Sequence, residues 1–301
     1  MVNDGSTDDT LSIIKNYQKK CENITVIDKK NTGVCDSRNV GIHAASGKYI
    51  TFADSDDYYS DDFFEKIIPE LKKDDFELLY YNAVFVKFNK ASGFLVKPKK
   101  DFSFEEPNGL KKYLNGNFSK KIGQAPWNKI YVSKIIKENN ILFEKEQKRG
   151  TDLLFNMRYV SYISKYRYFN ESLYYYVYDF KLFSQKKNKN IAIQENLKYY
   201  DHVIDYCKSS KMDNYMPYVG VFYLIRIPSI ILAEANNLNY KSGKENLKKY
   251  FNNKKIKSSL KFVRLRFVPF RYLHLYFMYK LHLFQLLYLF TYQASKFMQK
   301  K

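Results

Sequence analysis

Three aspartates fall within four positions of the segment YITFADSDDYYSDDF: Asp54, Asp56 and Asp57. The residues before them, KYITFAD (48–54), read as a buried strand that ends in acid. In open α/β sheets, ligands bind at the carboxyl ends of strands. Clustered carboxylates repel unless something positive sits among them, and Mg²⁺ or Mn²⁺ with oxygen ligands is the natural counter-ion. Such a cation would bridge a diphosphate and neutralise the charge that builds as it departs. The plain alternative is a solvated acidic turn with a helix cap.

Two further segments carry chemistry. VNDGSTDDT opens the chain, with Val2 closing a strand and a polar turn opening a helix. Asp4 in that turn can accept a hydrogen bond from a base N–H, although good capping alone accounts for the residues. The second segment is NTGVCDSRNVGIHAASGKYI. Gly33 and Gly41 permit close backbone approach, and Gly47 suits a turn. Arg38 can pair with a phosphate or with the neighbouring acids.

The order, spacing and wording of these three segments resemble the family 2 glycosyltransferases of the GT-A fold. That family reads roughly VNDGSTDDT, then N-x-G-V-x-x-A-R-N-x-G-I-x-x-A-x-G-x-Y-I-x-F-x-D-x-D-D, and residues 1–66 match most positions. Ser37 stands where a small residue, usually Ala, precedes the Arg. The resemblance implies that Asp4 contacts the nucleotide base; Arg38 is a donor-binding candidate from its own chemistry, with a structural Arg–Asp pair as the alternative. The resemblance also implies that Asp54 and Asp56 hold the metal, with Asp57 supporting them on the donor side.

The resemblance continues more weakly. QAPWNKIYVSKIIKENNILF (124–143) looks like the family's acceptor-side segment, which makes Trp127 and Asn128 acceptor-binding candidates. An indole face suits a sugar ring; a core Trp anchoring a helix is the alternative. In RGTDLLFNMRYV, Asp152 matches the family's general base, with Thr151 where Glu is frequent. Asp152 can equally be a helix N-cap. ESLYYYVYDFKLFS (171–184) resembles the family's Tyr-rich strand, with Val177 where Arg is frequent. The family's opening strand and helix have no counterpart before Val2, so one wall of the base site is expected to be missing.

Alternating elements must position these groups. Ser6 and Asp9 form a candidate capping box for a helix over 8–20 carrying Leu11, Ile13, Ile14 and Tyr17. ITVID (24–28) predicts a strand and 34–45 a helix. Ser60 is a candidate cap for a helix to about Leu71, and ELLYYNAVFVKF (77–88) predicts another strand. Helices are expected near 107–115, 132–139 and 152–163, and strands near 166–169 and 172–178. This alternation defines an α/β class with a mostly parallel sheet over residues 1–185. The resemblance makes it GT-A: a Rossmann-like nucleotide-diphospho-sugar transferase domain.

A helical, basic region (186–301) follows the loop SQKKNKN (184–190), with Pro217 and Pro228 as kinks or breaks. Residues 241–301 hold fifteen basic side chains and one acid, a balance of +14; residues 1–65 hold seven basic and twelve acidic, a balance of −5. A basic tail points to an anionic partner, and without a nucleic-acid-binding motif a membrane surface is favoured over nucleic acid. VPFRYLHLYFMYKLHLFQLLYLFTYQASKF (268–297) is rich in Leu, Phe and Tyr. Its run between Lys280 and Lys296 falls short of the roughly 18 residues a spanning helix needs. A helix lying in the membrane interface is expected, against a core helix of a small bundle.

Composition sets the outer bounds. With 45% apolar and 27% charged residues, the 301-residue chain is neither disordered nor polytopic in a membrane. Cys21, Cys35 and Cys207 fit no disulfide framework or zinc site, and read as ordinary buried thiols in a reducing compartment. The polar start predicts no signal peptide. The resemblance and the basic tail together imply transfer of a sugar from a UDP-sugar to an acceptor hydroxyl, with inversion and with Mg²⁺ or Mn²⁺. The acceptor would be a glycan or lipid-linked chain in cell-surface polysaccharide assembly. The protein would be cytoplasmic and peripheral at the inner face of the cell membrane. A non-catalytic remnant that binds a partner or membrane is the alternative.

Overall fold

The computed structural model describes residues 1–87, 90–95, 102–105, 125–145, 150–178, 204–205, 208, 216–237, 239–265, 268 and 272–299. The loop at 184–190, the helix expected near 107–115, His202 and Cys207 lie outside them. The chain divides into two compact units. The first is Met1–Lys112 with Lys121–Phe180, the second Tyr113–Lys120 with Lys181–Lys301.

In the first unit, β1 (Val2–Asp4) leads into α1 (Thr10–Lys20), and β2 (Ile27–Lys29) returns parallel to β1. Next come α2 (Val34–Ala44), β3 (Tyr49–Ile50), β4 (Tyr58–Tyr59), α3 (Phe63–Lys73), β5 (Leu78–Lys87), β6 (Lys90–Leu95) and β7 (Phe102–Glu105). β8 (Lys129–Val132), α4 (Ser133–Glu138), α5 (Thr151–Val160) and β9 (Lys165–Tyr178) complete it. The larger sheet runs β3-β8-β5-β9-β4, with β6 beside β5 and β7 beside β9. Its longest ladder, β5 with β9, is parallel; the shorter ladders around it are antiparallel. The α/β class stands.

β5 is the centre of this sheet because both its faces are apolar. Leu78, Leu79, Tyr81 and Ala83 are all 0% exposed, and neighbours along a strand point to opposite faces. Phe63 and Ile67 of α3, with Trp127 and Leu173, pack into the same core. α5 is buried on nearly every side, which suits its run of Leu, Phe, Met and Tyr.

Several local expectations change. The strand expected over 48–54 is a ladder only at Tyr49–Ile50. Beyond it, side chains take over: the Tyr59 hydroxyl donates to the Phe52 carbonyl, and the Asp54 N–H donates to the Tyr174 hydroxyl. The Ser6–Asp9 capping box does not form. Ser6 Oγ donates to Asn3, Asp8 accepts from the Thr10 N–H, and Asp9 makes no side-chain cap. α3 likewise takes Asp62, not Ser60, as its N-cap residue, without a side-chain cap; the Ser60 carbonyl accepts from the Phe63 N–H. The two strands expected over 166–178 are one, β9, whose register shifts opposite Asn82; there the Asn82 amide bonds Asn170. Cys35 is buried, but Cys21 is exposed.

The second unit contains α6 (Met216–Asn237), α7 (Tyr240–Asn252), α8 (Lys254–Lys261), α9 (Leu273–Lys280) and α10 (Phe284–Gln299). Neither proline breaks α6. Pro217 sits in the first turn, where no N–H partner is needed, and the helix continues through Pro228. Gly243 of α7 cannot carry a side chain: a Cβ there would lie 1.9 Å from the Tyr288 hydroxyl. The interfacial helix expected over 268–297 is two helices, broken at a turn where His282 takes φ 56°. Leu275, Phe284 and Tyr288 pack inward, as a core helix requires, while Phe277, Leu281, Leu286 and Phe290 stay at least half exposed. Among the described residues, no helix is long and apolar enough to cross a membrane.

Candidate functional site

The site is assembled around α2. Gly33 precedes this helix at φ 94°, a conformation open to glycine and costly for other residues. The turn is secured by Asp4 at the end of β1. Its carboxylate accepts from the Thr32 N–H (2.9 Å), the Gly33 N–H (2.8 Å) and the Lys29 ammonium. Burial pushes the Asp4 carboxyl up, but these hydrogen bonds outweigh it and hold it below the usual range. On the far side, Asn39 of α2 grips the Phe143 backbone through both its amide atoms, each at 2.8 Å. α2 is thereby fixed at its N-terminal turn and at its middle.

That fixed helix aims Arg38 at two acids distant in sequence. Nη1 donates to Asp152 Oδ1 at 2.7 Å and Nη2 to Asp54 Oδ1 at 2.6 Å. Its guanidinium lies over the Phe143 ring, 5.1 Å from the centroid, and its side chain is only 12% exposed. Asp152 sits in the first turn of α5, whose N-cap is Gly150, so Asp152 is not the cap. Burial raises the Asp152 carboxyl above its ordinary range; Arg38 pulls it back, and the negative Asp54 adds to the rise.

The acidic turn divides its labour. Asp57 faces inward: Oδ2 accepts from the Tyr174 hydroxyl and Oδ1 from the Val177 N–H, each at 2.8 Å. Burial, with smaller contributions from Asp56 and Asp54, pushes it up to about 6. Asp56 is exposed and takes no hydrogen bond from the described residues. No group of three or more His, Cys, Asp or Glu among the described residues could hold a metal. Asp54 and Asp56 alone could still serve a divalent cation whose remaining ligands are donor phosphates and water, since Mg²⁺ is commonly held that way.

Trp127 and Asn128 are corrected. Trp127 is 5% exposed and stacks on Tyr174 at 4.6 Å, so its face is not open to a sugar. Asn128 is fully buried, donating to the Tyr81 carbonyl. Both are core residues because this segment feeds β8 next to the central strand. Their neighbour Lys129 was not singled out from sequence. It is fully buried, its ammonium donating to the Ala125 carbonyl and Asn128 Oδ1. Burial lowers it to about 7, against a smaller upward pull from Asp152. Tyr174 also went unnoticed, one tyrosine among several in β9. A lysine heading an apolar strand was the visible signal for the first; nothing local marks the second.

A sheet-and-helix unit with carboxylates gathered around one arginine has the GT-A fold of the nucleotide-sugar transferases. Residues 1–138, somewhat under half of the chain, match the family model for glycosyl transferase family 2. The chain is 27% identical over 178 residues to the uncharacterized glycosyltransferase EpsJ of Bacillus subtilis (58% of this chain, 51% of that protein). It is 32% identical over 162 residues to the poly(ribitol-phosphate) beta-glucosyltransferase of Bacillus spizizenii (52% and 23%). The chain thus spans about half the length of EpsJ and less of the second relative. Among solved structures, Staphylococcus aureus TarS 1–349 in complex with UDP-GlcNAc aligns with a TM-score of 0.53 and 19% identity, covering 88% of this chain and 72% of that one. At that identity the likeness is one of fold.

Proposed function

We propose that the first unit moves a sugar from a UDP-sugar to an acceptor hydroxyl with inversion, in the assembly of a cell-surface glycan. The observation that carries this reading is the joint grip of Arg38 on Asp54 and Asp152, which joins the donor-side acids to the base. Asp152 accepts the proton of the incoming hydroxyl, and a carboxyl raised by burial is better suited to that task than an ordinary one. Asp4, at the end of β1, and the glycine turn beside it take the nucleotide base. Asp54 and Asp56 hold Mg²⁺ or Mn²⁺, with Asp57 bracing the turn from behind. The metal, when bound, supplies positive charge to the departing diphosphate. Arg38 keeps the two acids in register and can meet the donor's phosphates. Attack from the side opposite the leaving group gives inversion. The many basic side chains and exposed aromatics of the second unit favour contact with an anionic membrane surface, where a lipid-linked acceptor would lie.

UDP release from UDP-GlcNAc, with and without Mn²⁺, tests the reading. Metal-dependent release is expected, and Asp56→Ala should abolish it. A well-folded chain that neither binds UDP nor turns over would favour the non-catalytic remnant.

A further inference from the structure

The second unit contains a cavity of about 570 Å³ to which the sugar-transfer reading assigns no role. Lys244 and Lys248 of α7 and Lys257 and Lys261 of α8 line it. Each pair is spaced four residues apart, so each presents two like charges on one helix face, an arrangement that repels. None of the four has an ion pair among the described residues, and Glu245 is the one acid of residues 241–301. Two repelling pairs on different helices, turned to one cavity, are relieved when an anion sits between them.

The rest of the cavity is not built for an anion alone. Phe251 and Phe284 also line it, their rings stacked at 4.8 Å and 2°. Leu247 and Leu260 are buried beneath. In the chain, exposed Leu281 and Leu286 flank the lining residues His282 and Gln285. Inorganic phosphate would satisfy the lysines and leave this apolar surface wet. The volume is that of a small-molecule site, which typically joins an apolar wall to a few polar groups.

We propose that this cavity binds the phosphate head of a lipid phosphomonoester, with the lysines around the phosphate and the first part of the hydrocarbon chain on the Phe251–Phe284 floor. The site goes beyond the sugar-transfer reading. It needs neither the donor site nor a bilayer.

Titration calorimetry of the full chain with a short-chain phosphatidic acid, kept below its aggregation concentration, tests this. Saturable binding of one lipid per chain is expected. Inorganic phosphate, and the matching diacylglycerol without phosphate, should each bind at least about tenfold more weakly. The double variant Lys248→Ala/Lys257→Ala should lose about tenfold or more in affinity, while Lys241→Ala/Lys249→Ala, outside the lining, should stay within about twofold. All four positions are exposed or at the surface, and an unchanged urea midpoint checks folding. Equal losses in both double variants would overturn the site in favour of diffuse electrostatics. Phosphate binding as tightly as the lipid would overturn the lipid assignment, and absence of saturable binding would overturn both. UDP affinity, measured on the same samples, reports on the sugar-transfer reading separately.

Discussion

On α3, Asp62 and Lys66 stand four residues apart and pair at 2.7 Å; on α7, Lys244 and Lys248 stand four apart with the same sign. The contrast extends through each unit. In the first, cations are spent on named acids: Arg38 on Asp54 and Asp152, Arg167 on Glu70 and Asp75, Lys29 on Asp4 and Asp36. In the second, four lysines around one cavity form no ion pair among the described residues. The net charge of +20 therefore describes neither region. Charge in the first unit fixes internal geometry, as reacting groups require. Charge around the cavity of the second has no such internal partner among the described residues, which is what the proposed lipid phosphate would answer.

The comparison is tested hardest where the paired charges meet chemistry. Asp152→Asn keeps the shape and leaves Arg38 its bond to Asp54. It removes the proposed base, so turnover should fall by about 10²–10⁴-fold with UDP affinity nearly unchanged. A normal rate would detach Asp152 from the reaction and leave its pairing merely structural. Arg38→Ala comes next in size. It leaves Asp54 and Asp152 facing each other without a counter-charge. The acids are 26% and 38% exposed, so solvent screens part of the effect. A loss of about 1–2 kcal/mol in urea unfolding is expected, with part of it restored by Mg²⁺.

How much of this could be read from the chain alone follows the range of the interaction. The acidic turn, the Gly33 turn and α2 were legible because their residues lie side by side. The meeting of Arg38 with Asp152 spans 114 residues, and only a resemblance could propose it. Burial was the commonest source of error. Trp127 looked like a sugar platform because its type allows that role, and nothing near it says that Tyr174 already covers it. The capping box failed differently. Ser6 had the right spacing, yet Asn3 was a nearer acceptor for its hydroxyl. The C-terminal apolar run hid its break because His282 is an unmarked place to turn left-handed, without a glycine or proline to signal it.

A third prediction concerns Asp57 of the acidic turn, whose carboxyl is raised mainly by burial. Asp57 titrates near 6 in the folded chain, above its ordinary 3.8. Between about pH 4 and 6 the folded chain keeps a proton that the unfolded chain has released. This group's contribution to stability is therefore fully present below about pH 4 and is lost as pH rises through 6. Carboxyl ¹³C shifts should show a midpoint near 6, and adding Mg²⁺ with UDP should move it downward. A midpoint near 4, insensitive to the cation, would mean that no cation answers the charge of this turn.

The smallest expected effect sharpens the contrast from the other side. Lys244→Glu would give α7 the arrangement α3 already has, an acid four residues before a lysine. Lys244 lies near the start of the helix, where a negative side chain is also favoured by the helix dipole. Repulsion between Lys244 and Lys248 is removed and an attraction replaces it, together about 0.5–1 kcal/mol of added stability in low salt. The gain should shrink as salt is added, since both side chains reach solvent. If the variant is instead less stable at every salt concentration, Lys244 holds a structural contact in the second unit, and its lack of an acid partner is not a sign of an external one.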